Sequence, residues 1–392
     1  MDYAKESLRL HGEWKGKIEV KATVPVATKQ DLSLAYTPGV AYPCLEIQKD
    51  PRLAYTYTAK GNTVAVVTDG SAVLGLGNIG PLAGLPVMEG KSLLMKELAG
   101  IDSFPICLNT QNVEEIISIC KAIAPSFGAI NLEDISAPRC VEIERRLIEE
   151  LEIPVFHDDQ HGTAIIVGAA LINVERLTGR KLSDMTAVIS GTGAAGSSIA
   201  RHIKRLGIGQ IFAYDINGVV CREKYDQYSF LIRELLDDGV YSSPVVHDDT
   251  LASLLRGADI FIGVSAPGLV TRDMIASMAK QPIVFAMANP TPEIMPEEAI
   301  AGGAYIVGTG RSDYPNQINN CLVFPGLFKG ALSVRAHKIN NEMKLAASYS
   351  LANVIPDSKL SVSRIVPAFT DPAVVPAVAE AVADAARKTG VA

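Results

Sequence analysis

The chain has 392 residues, which at about 150 residues per domain suggests two domains or slightly more. Hydrophobic residues make up 48% and charged residues 20%, which excludes a mainly disordered chain, and 32 Gly with 22 Pro scattered along the sequence exclude a collagen-like one. The net charge of −7, from 36 basic and 43 acidic residues with no Lys/Arg cluster, argues against nucleic acid as a partner.

The N-terminal MDYAKESLRL is too charged for a signal peptide. A strand is expected at 64–68, followed by a glycine pattern, Gly75-Leu-Gly77-Asn-Ile-Gly80. Pro81, Gly84 and Pro86 come next, and no strand ending in an acid lies about 20 residues on, so this copy reads as a structured loop and not as a cofactor site. Strands at 104–109, 128–132 and 153–156 alternate with helical spacing at 113–124 and 139–151, the pattern of repeated βα units and an α/β fold.

Two acidic pairs close successive strands: Glu133-Asp134 after GAINL and Asp158-Asp159 after IPVFH. In a parallel sheet such strand ends line one crevice, where converging carboxylates repel one another unless a cation sits among them. Oxygen ligands without Cys point to Mg²⁺ or Mn²⁺; the bland alternative is a set of solvated strand ends or helix caps. The run His157-Asp158-Asp159-Gln160-His161 approaches the zinc-protease pattern H-E-x-x-H, but it has Asp for Glu and the first His ends a strand.

An apolar helix is expected at 163–177. Its run 164–172 is nine residues long, about half of what crosses a bilayer, so no membrane partner and a cytoplasmic location are expected. A second glycine pattern, Gly191-Thr-Gly193-Ala194-Ala195-Gly196, follows a strand at 187–190 and opens a helix at 197–206. The next strand, 211–214, ends in Asp215, 19 residues after Gly196. That is the grammar of a Rossmann dinucleotide site, with the pyrophosphate at the helix N-terminus and the acid on the adenosine ribose. A carboxylate there favours NAD over NADP, although Arg222 and Lys224 lie close in sequence. A helix at 251–256 and strands at 259–264, 283–287 and 305–307 complete the βα alternation, and an Ala/Val-rich helix at 372–388 is expected to pack back on the first domain. Six cysteines far apart, with no CxxC pair, suit a reducing compartment.

With these elements in place, the sequence resembles the malic enzymes of the short bacterial type over nearly its whole length. The resemblance is carried by SLAYTPGVA (33–41), TDGSAVLGLGNIG (68–80), LPVMEGKSLLM (85–95), NLEDISAP (131–138), FHDDQHGTA (156–164), ANPTPE (288–293) and NNCLVFPG (319–326), in that family's order. It implies oxidative decarboxylation of L-malate to pyruvate and CO₂ with reduction of NAD(P)⁺. It further implies Tyr36 as general acid, Lys91 as general base with Asp158 as its partner, and Glu133, Asp134 and Asp159 as metal ligands. Asn289, Asn319 and Asn320 would supply substrate-side and nicotinamide-side amides, and a homodimer is the family's default. By residue chemistry alone a Tyr36 buried in a turn and a surface Lys91 are the better readings, and only the family match reverses them. A base neutral at working pH would need Lys91 depressed by a neighbouring cation.

The resemblance implies a substrate domain at 1–157 completed by 320–392, with a dinucleotide domain at 158–319 between. A phosphotransacetylase-like extension is not expected after Ala392. Ser71, Ala72 and Val73 offer no cation to malate's second carboxylate, which leaves backbone amides at 75–80 as the candidate. The rival readings are a malolactic activity that retains NAD and releases lactate, and a binding protein with a degenerate site; the presence of both Tyr36 and Lys91 argues against the latter.

Overall fold

The computed structural model describes residues 3–244 and 248–392. The chain begins with helices α1 (Tyr3–Trp14), α2 (Lys29–Ala35) and α3 (Ala41–Lys49), none of which has a buried residue. A parallel sheet follows, built from β1 (Thr63–Thr68), β2 (Asp102–Cys107), β3 (Ala129–Leu132) and β4 (Val155–His157), in the order β2-β1-β3-β4. Its crossovers are α4 (Pro81–Ala99), α5 (Val113–Ile123) and α6 (Arg139–Glu150). Strands β1 and β3 are buried throughout, which is why they read as unbroken aliphatic runs.

The glycine pattern at 75–80 is a loop as expected, but helix α4 follows it directly where Pro81, Gly84 and Pro86 argue against a helix. Pro81 occupies the first turn, where no N–H is needed, and Pro86 lies inside a helix of 19 residues. A stripe of Gly84, Met88, Ser92, Met95 and Ala99 is buried on one face, and this tertiary packing outweighs the helix cost of Pro86 and Gly84.

Helix α7 (Asp158–Thr178) leaves β4 directly, with His157 as its N-cap accepting from Gln160 N. It therefore starts five residues before the expected 163, and Asp158 and Asp159 form its first turn instead of trailing a strand. There they complement the positive end of the helix dipole. The second sheet comprises β5 (Thr186–Ser190), β6 (Gln210–Asp215), β7 (Gly218–Val219), β8 (Ile260–Gly263), β9 (Ile283–Ala286) and β10 (Ile306–Thr309), and helix α8 (Ala194–Arg205) follows β5. The order β10-β9-β8-β5-β6-β7 is that of a doubly wound dinucleotide fold, except that β7 is short and antiparallel. Helices α9 (Phe324–Ser333), α10 (Asn341–Asn353) and α11 (Val374–Lys388) close the chain. Of these, α9 packs on α4, α10 on α7, and α11 over α9 and α10, so the tail reaches helices on both sides of β4. Among the described residues no helix is long and apolar enough to cross a membrane.

Candidate active site

Register brings the two acidic pairs together. Leu132 pairs with His157 across β3 and β4, so Glu133-Asp134 and Asp158-Asp159 leave adjacent strands at one level. Ligand oxygens of Glu133, Asp134 and Asp159 lie within 4.8 Å of one another. Asp134 adopts a left-handed backbone, φ 54°, and its N–H donates to Asp159 Oδ2 at 2.8 Å, which ties the two loops to each other. Inside β3, Asn131 donates to Glu133 Oε2 at 2.9 Å.

Lys91 projects from α4 into this cluster. Its Nζ forms an ion pair and hydrogen bond with Asp158, lies 3.0 Å from Glu133 Oε1, donates to Asn320 Oδ1 at 3.3 Å, and stands 4.6 Å from the centre of the Phe324 ring. Gly162, one turn along α7, makes room for Asp158, because an added Cβ would meet Asp158 Oδ1 at 1.9 Å.

Burial raises the Asp158 carboxyl to about 7 against the pull of Lys91, and burial likewise raises Glu133 and Asp159. Burial also works against the charge of Lys91, but Asp158, Glu133 and Asp159 outweigh it and hold the ammonium above its ordinary range. The expected depression of Lys91 is therefore not a property of these residues alone: the carboxylates around it favour the protonated form. The donor set itself fits a hard divalent cation: three close carboxylates, all raised or buried, with Asp158 Oδ1 and Asn131 Oδ1 buried without a hydrogen-bond partner among the described residues.

Of the histidines in the 157–161 run, His161 is committed through both ring nitrogens, whereas His157 uses one and turns its Nε2 toward Asp159 Oδ2 at 3.8 Å. His157 Nδ1 caps α7, while His161 Nε2 meets Glu144 Oε2 at 2.9 Å and its Nδ1 meets Ser198 Oγ at 3.0 Å. Burial lowers both rings to about 4, so both are neutral at pH 7. Glu144, on α6, also accepts from His157 N at 2.8 Å and from Gln160 Nε2 at 3.2 Å. It thus clamps the first turn of α7, which carries Asp158 and Asp159, and through His161 and Ser198 joins that turn to α8. Sequence reasoning missed Glu144. The signal was a carboxylate at a core position of α6, whose other buried residues are Cys140, Val141, Ile143 and Leu147.

The cluster opens into a cleft of about 970 Å³ that the dinucleotide turn also lines. Gly193, Ala194 and Ala195 face it from the N-terminus of α8, and Val264 and Ser265 from the end of β8. Gly191 has φ 103°, and Gly196 packs so closely that an added Cβ would lie 1.8 Å from Gly191 O, the close helix-strand approach the fingerprint requires. Asp215 stands outside the cleft lining, at the end of β6. It accepts from Thr192 Oγ1 at 3.1 Å and from Asn217 N at 2.7 Å. The nearby cations are engaged elsewhere: Lys224 with Asp249 at 2.5 Å and Asn217 O at 2.9 Å, and Arg222 with Leu236 O at 2.7 Å.

Asn289, Asn319 and Asn320 line the cleft, whereas Tyr36 does not and is 63% exposed. Of the loop at 75–80, only Gly75 lines the cleft, and Val73, Leu76, Ile79 and Gly80 spend their N–H groups on Gly77, Val73 and Gly70 carbonyls. Half of the six amides at 75–80 are thus spent, which leaves those of Gly75, Gly77 and Asn78 for a substrate carboxylate.

Comparison with known proteins bears directly on this cleft. The family model described as "Malic enzyme, N-terminal domain" matches residues 15–148, and "Malic enzyme, NAD binding domain" matches residues 160–387. The chain belongs to the malic enzyme family. Among its relatives, the bifunctional malic/malolactic enzyme of Bacillus subtilis is 51% identical over 392 residues, covering 100% of this chain and 95% of that one. The NAD-dependent malic enzyme of Geobacillus stearothermophilus is 52% identical, covering 96% and 78%. A crystal structure of the NAD-dependent malic enzyme of Thermotoga maritima superposes with a TM-score of 0.91 at 46% identity, covering 96% and 98%. In malic enzyme terms, the two matched domains meet at α7, and the carboxylate cluster and the glycine turn face one cleft from either side of that junction.

Proposed function

We propose that this malic enzyme oxidatively decarboxylates L-malate to pyruvate and CO₂ with reduction of NAD⁺, and that it requires Mg²⁺ or Mn²⁺. The observation that carries the reading is the placement of Lys91 between Asp158 and Glu133, at the edge of a three-carboxylate cluster and in the same cleft as the glycine turn. When bound, a divalent cation at Glu133, Asp134 and Asp159 would polarise the C2 oxygen, and the nicotinamide would accept the hydride.

The protein's own residues handle the protons. Lys91 Nζ takes the proton of the 2-hydroxyl as hydride leaves C2, and Asp158 and Asn320 fix the direction of its lone pair. The resulting 2-oxo dicarboxylate breaks its C3–C4 bond, and the electrons left by CO₂ flow into the C2 carbonyl. Lys91 returns its proton to that oxygen and reclaims it as the enol tautomerises, while the Tyr36 phenol protonates C3. Neutral Lys91 requires that the negative charge around it be compensated, which links the base to occupancy of the carboxylate cluster.

Tyr36 has to come from a second copy of the chain. It lies off its own cleft, and no residue between 3 and 62 is buried, although Val20, Leu34 and Tyr42 are 84%, 70% and 70% exposed. Apolar side chains displayed along such a length need a covering surface, and a homodimer in which the stretch around Tyr36 reaches the partner's cleft, while Lys17 stays at its own, supplies both the cover and the acid.

Asp215 supports NAD over NADP, because a 2′-phosphate would meet its carboxylate with Lys224 and Arg222 already engaged. The Asp215→Ser variant should raise kcat/KM for NADP⁺ relative to NAD⁺ by about tenfold or more, measured with saturating malate. An unchanged ratio would place the ribose contact elsewhere.

The Bacillus subtilis relative, described as both malic and malolactic, favours a second reading: retention of the reduced cofactor and release of lactate. Product analysis separates the two. Free NADH and pyruvate in equal amounts support the first reading, and lactate without net NADH supports the second.

A further inference from the structure

We infer that Lys17 binds the second carboxylate of the substrate, the one remote from the 2-hydroxyl, and thereby selects 2-hydroxy dicarboxylates over monocarboxylates. The inference rests on the malate reading above. A dicarboxylate whose first carboxylate and hydroxyl face the Glu133, Asp134 and Asp159 cluster presents its other carboxylate to the remaining cleft wall, which must offset a full negative charge. The described residues lining the cleft include two lysines and no arginine. One is Lys91, already held by Asp158 and Glu133; the other is Lys17.

Lys17 is placed for this by two anchors on α4. Glu89 Oε2 accepts from its backbone N–H at 3.2 Å, and its Nζ donates to Pro86 O at 2.7 Å, which leaves two ammonium N–H groups uncommitted by these bonds. The ammonium also lies 3.9 Å from the position a Cβ on Gly90 would take, so it sits beside the residue that precedes Lys91 on the same helix. Gly90 puts no side chain between the two lysines. Partial burial lowers the Lys17 ammonium, with Glu89 opposing, as expected for a cation incompletely hydrated at a cleft wall.

A second cation near the 70–80 loop, Arg139, is spent. Arg139 donates to Gln111 O, Ser71 Oγ and Ser136 Oγ and pairs with Asp69 at 3.1 Å, and it does not line the cleft. Its guanidinium braces the loop.

The test compares Lys17→Gln and Lys17→Arg with the wild type in three measurements: KM for malate, the inhibition constant of pyruvate, and NADH affinity by fluorescence titration. Pyruvate lacks the second carboxylate, so it reports on the rest of the site. Lys17→Gln should raise the malate KM by about 10- to 100-fold, the range of a lost hydrogen bond to a charged group. Pyruvate inhibition and NADH affinity should stay at wild-type values, and Lys17→Arg should recover part of the loss. Equal weakening of malate and pyruvate would make Lys17 a mere anchor for the N-terminal segment and overturn the inference, as would weakened NADH or an unchanged malate KM. A wild-type protein inert toward malate would overturn the malate reading and this inference together, a result distinct from each of these.

Discussion

Lys91→Ala is expected to lower kcat by about 10²- to 10⁴-fold, the size of a lost general base, with NADH affinity unchanged. The expectation follows from what Lys91 touches: Asp158, Glu133, Asn320 and the Phe324 ring, all on the carboxylate side of the cleft and none on the glycine turn. Removing the ammonium also leaves buried Asp158 without its partner, and breaking a buried pair costs about 3–5 kcal/mol. The melting temperature must therefore be read beside kcat. A folded variant that binds NADH normally but fails in turnover supports the role of base. A folded variant within threefold of the wild-type kcat, less than about 1 kcal/mol in the barrier, would remove Lys91 from the chemistry.

A mixture of two dead variants should regain activity. Tyr36→Phe lacks the acid and Lys91→Ala lacks the base, and if each site takes Tyr36 from the partner subunit, a heterodimer of the two holds one intact site and one doubly defective site. Co-refolding equal amounts gives heterodimers as half the population, so recovery to about a quarter of wild-type kcat is expected. If Tyr36 and Lys91 of one site belonged to one chain, every site would lack one of the two groups and the mixture would remain inactive. The assay reads subunit exchange through catalysis, so a second signal is useful: size exclusion should show the wild type and both variants as dimers.

What the sequence made legible follows from range. The dinucleotide turn at 191–196 is largely local, since Gly196 packs on Gly191 and Asp215 follows at the end of the next strand, although both glycines also approach Val264 at the end of β8. The carboxylates were legible for a related reason: β3 and β4 are consecutive and paired in register, so chain order alone puts their ends side by side. Helix α4 was hidden because its stability comes from a face buried by elements far along the chain, including α9 more than 220 residues away, while its local signals, Pro86 and Gly84, argue against a helix. Glu144 was hidden by its position in an amphipathic helix, where its partners on α7 appear only after folding. The anions that hold Lys91 in place keep its ammonium above the ordinary range, so a depression beside a cation is legible only in the pairing of the lysine with the carboxylate cluster. Tyr36 was legible as a motif but not as a location, since it is exposed and does not line the cleft that holds the other site residues.

The measurement that tests the account most directly is formation of NADH at 340 nm from L-malate and NAD⁺, run in parallel with Mn²⁺ and with excess EDTA, with pyruvate assayed in the same samples. The account predicts NADH and pyruvate in equal amounts with Mn²⁺, and neither above background in EDTA, because Glu133, Asp134 and Asp159 would then hold no cation and Lys91 would remain protonated. Turnover in EDTA equal to that with Mn²⁺ would contradict it.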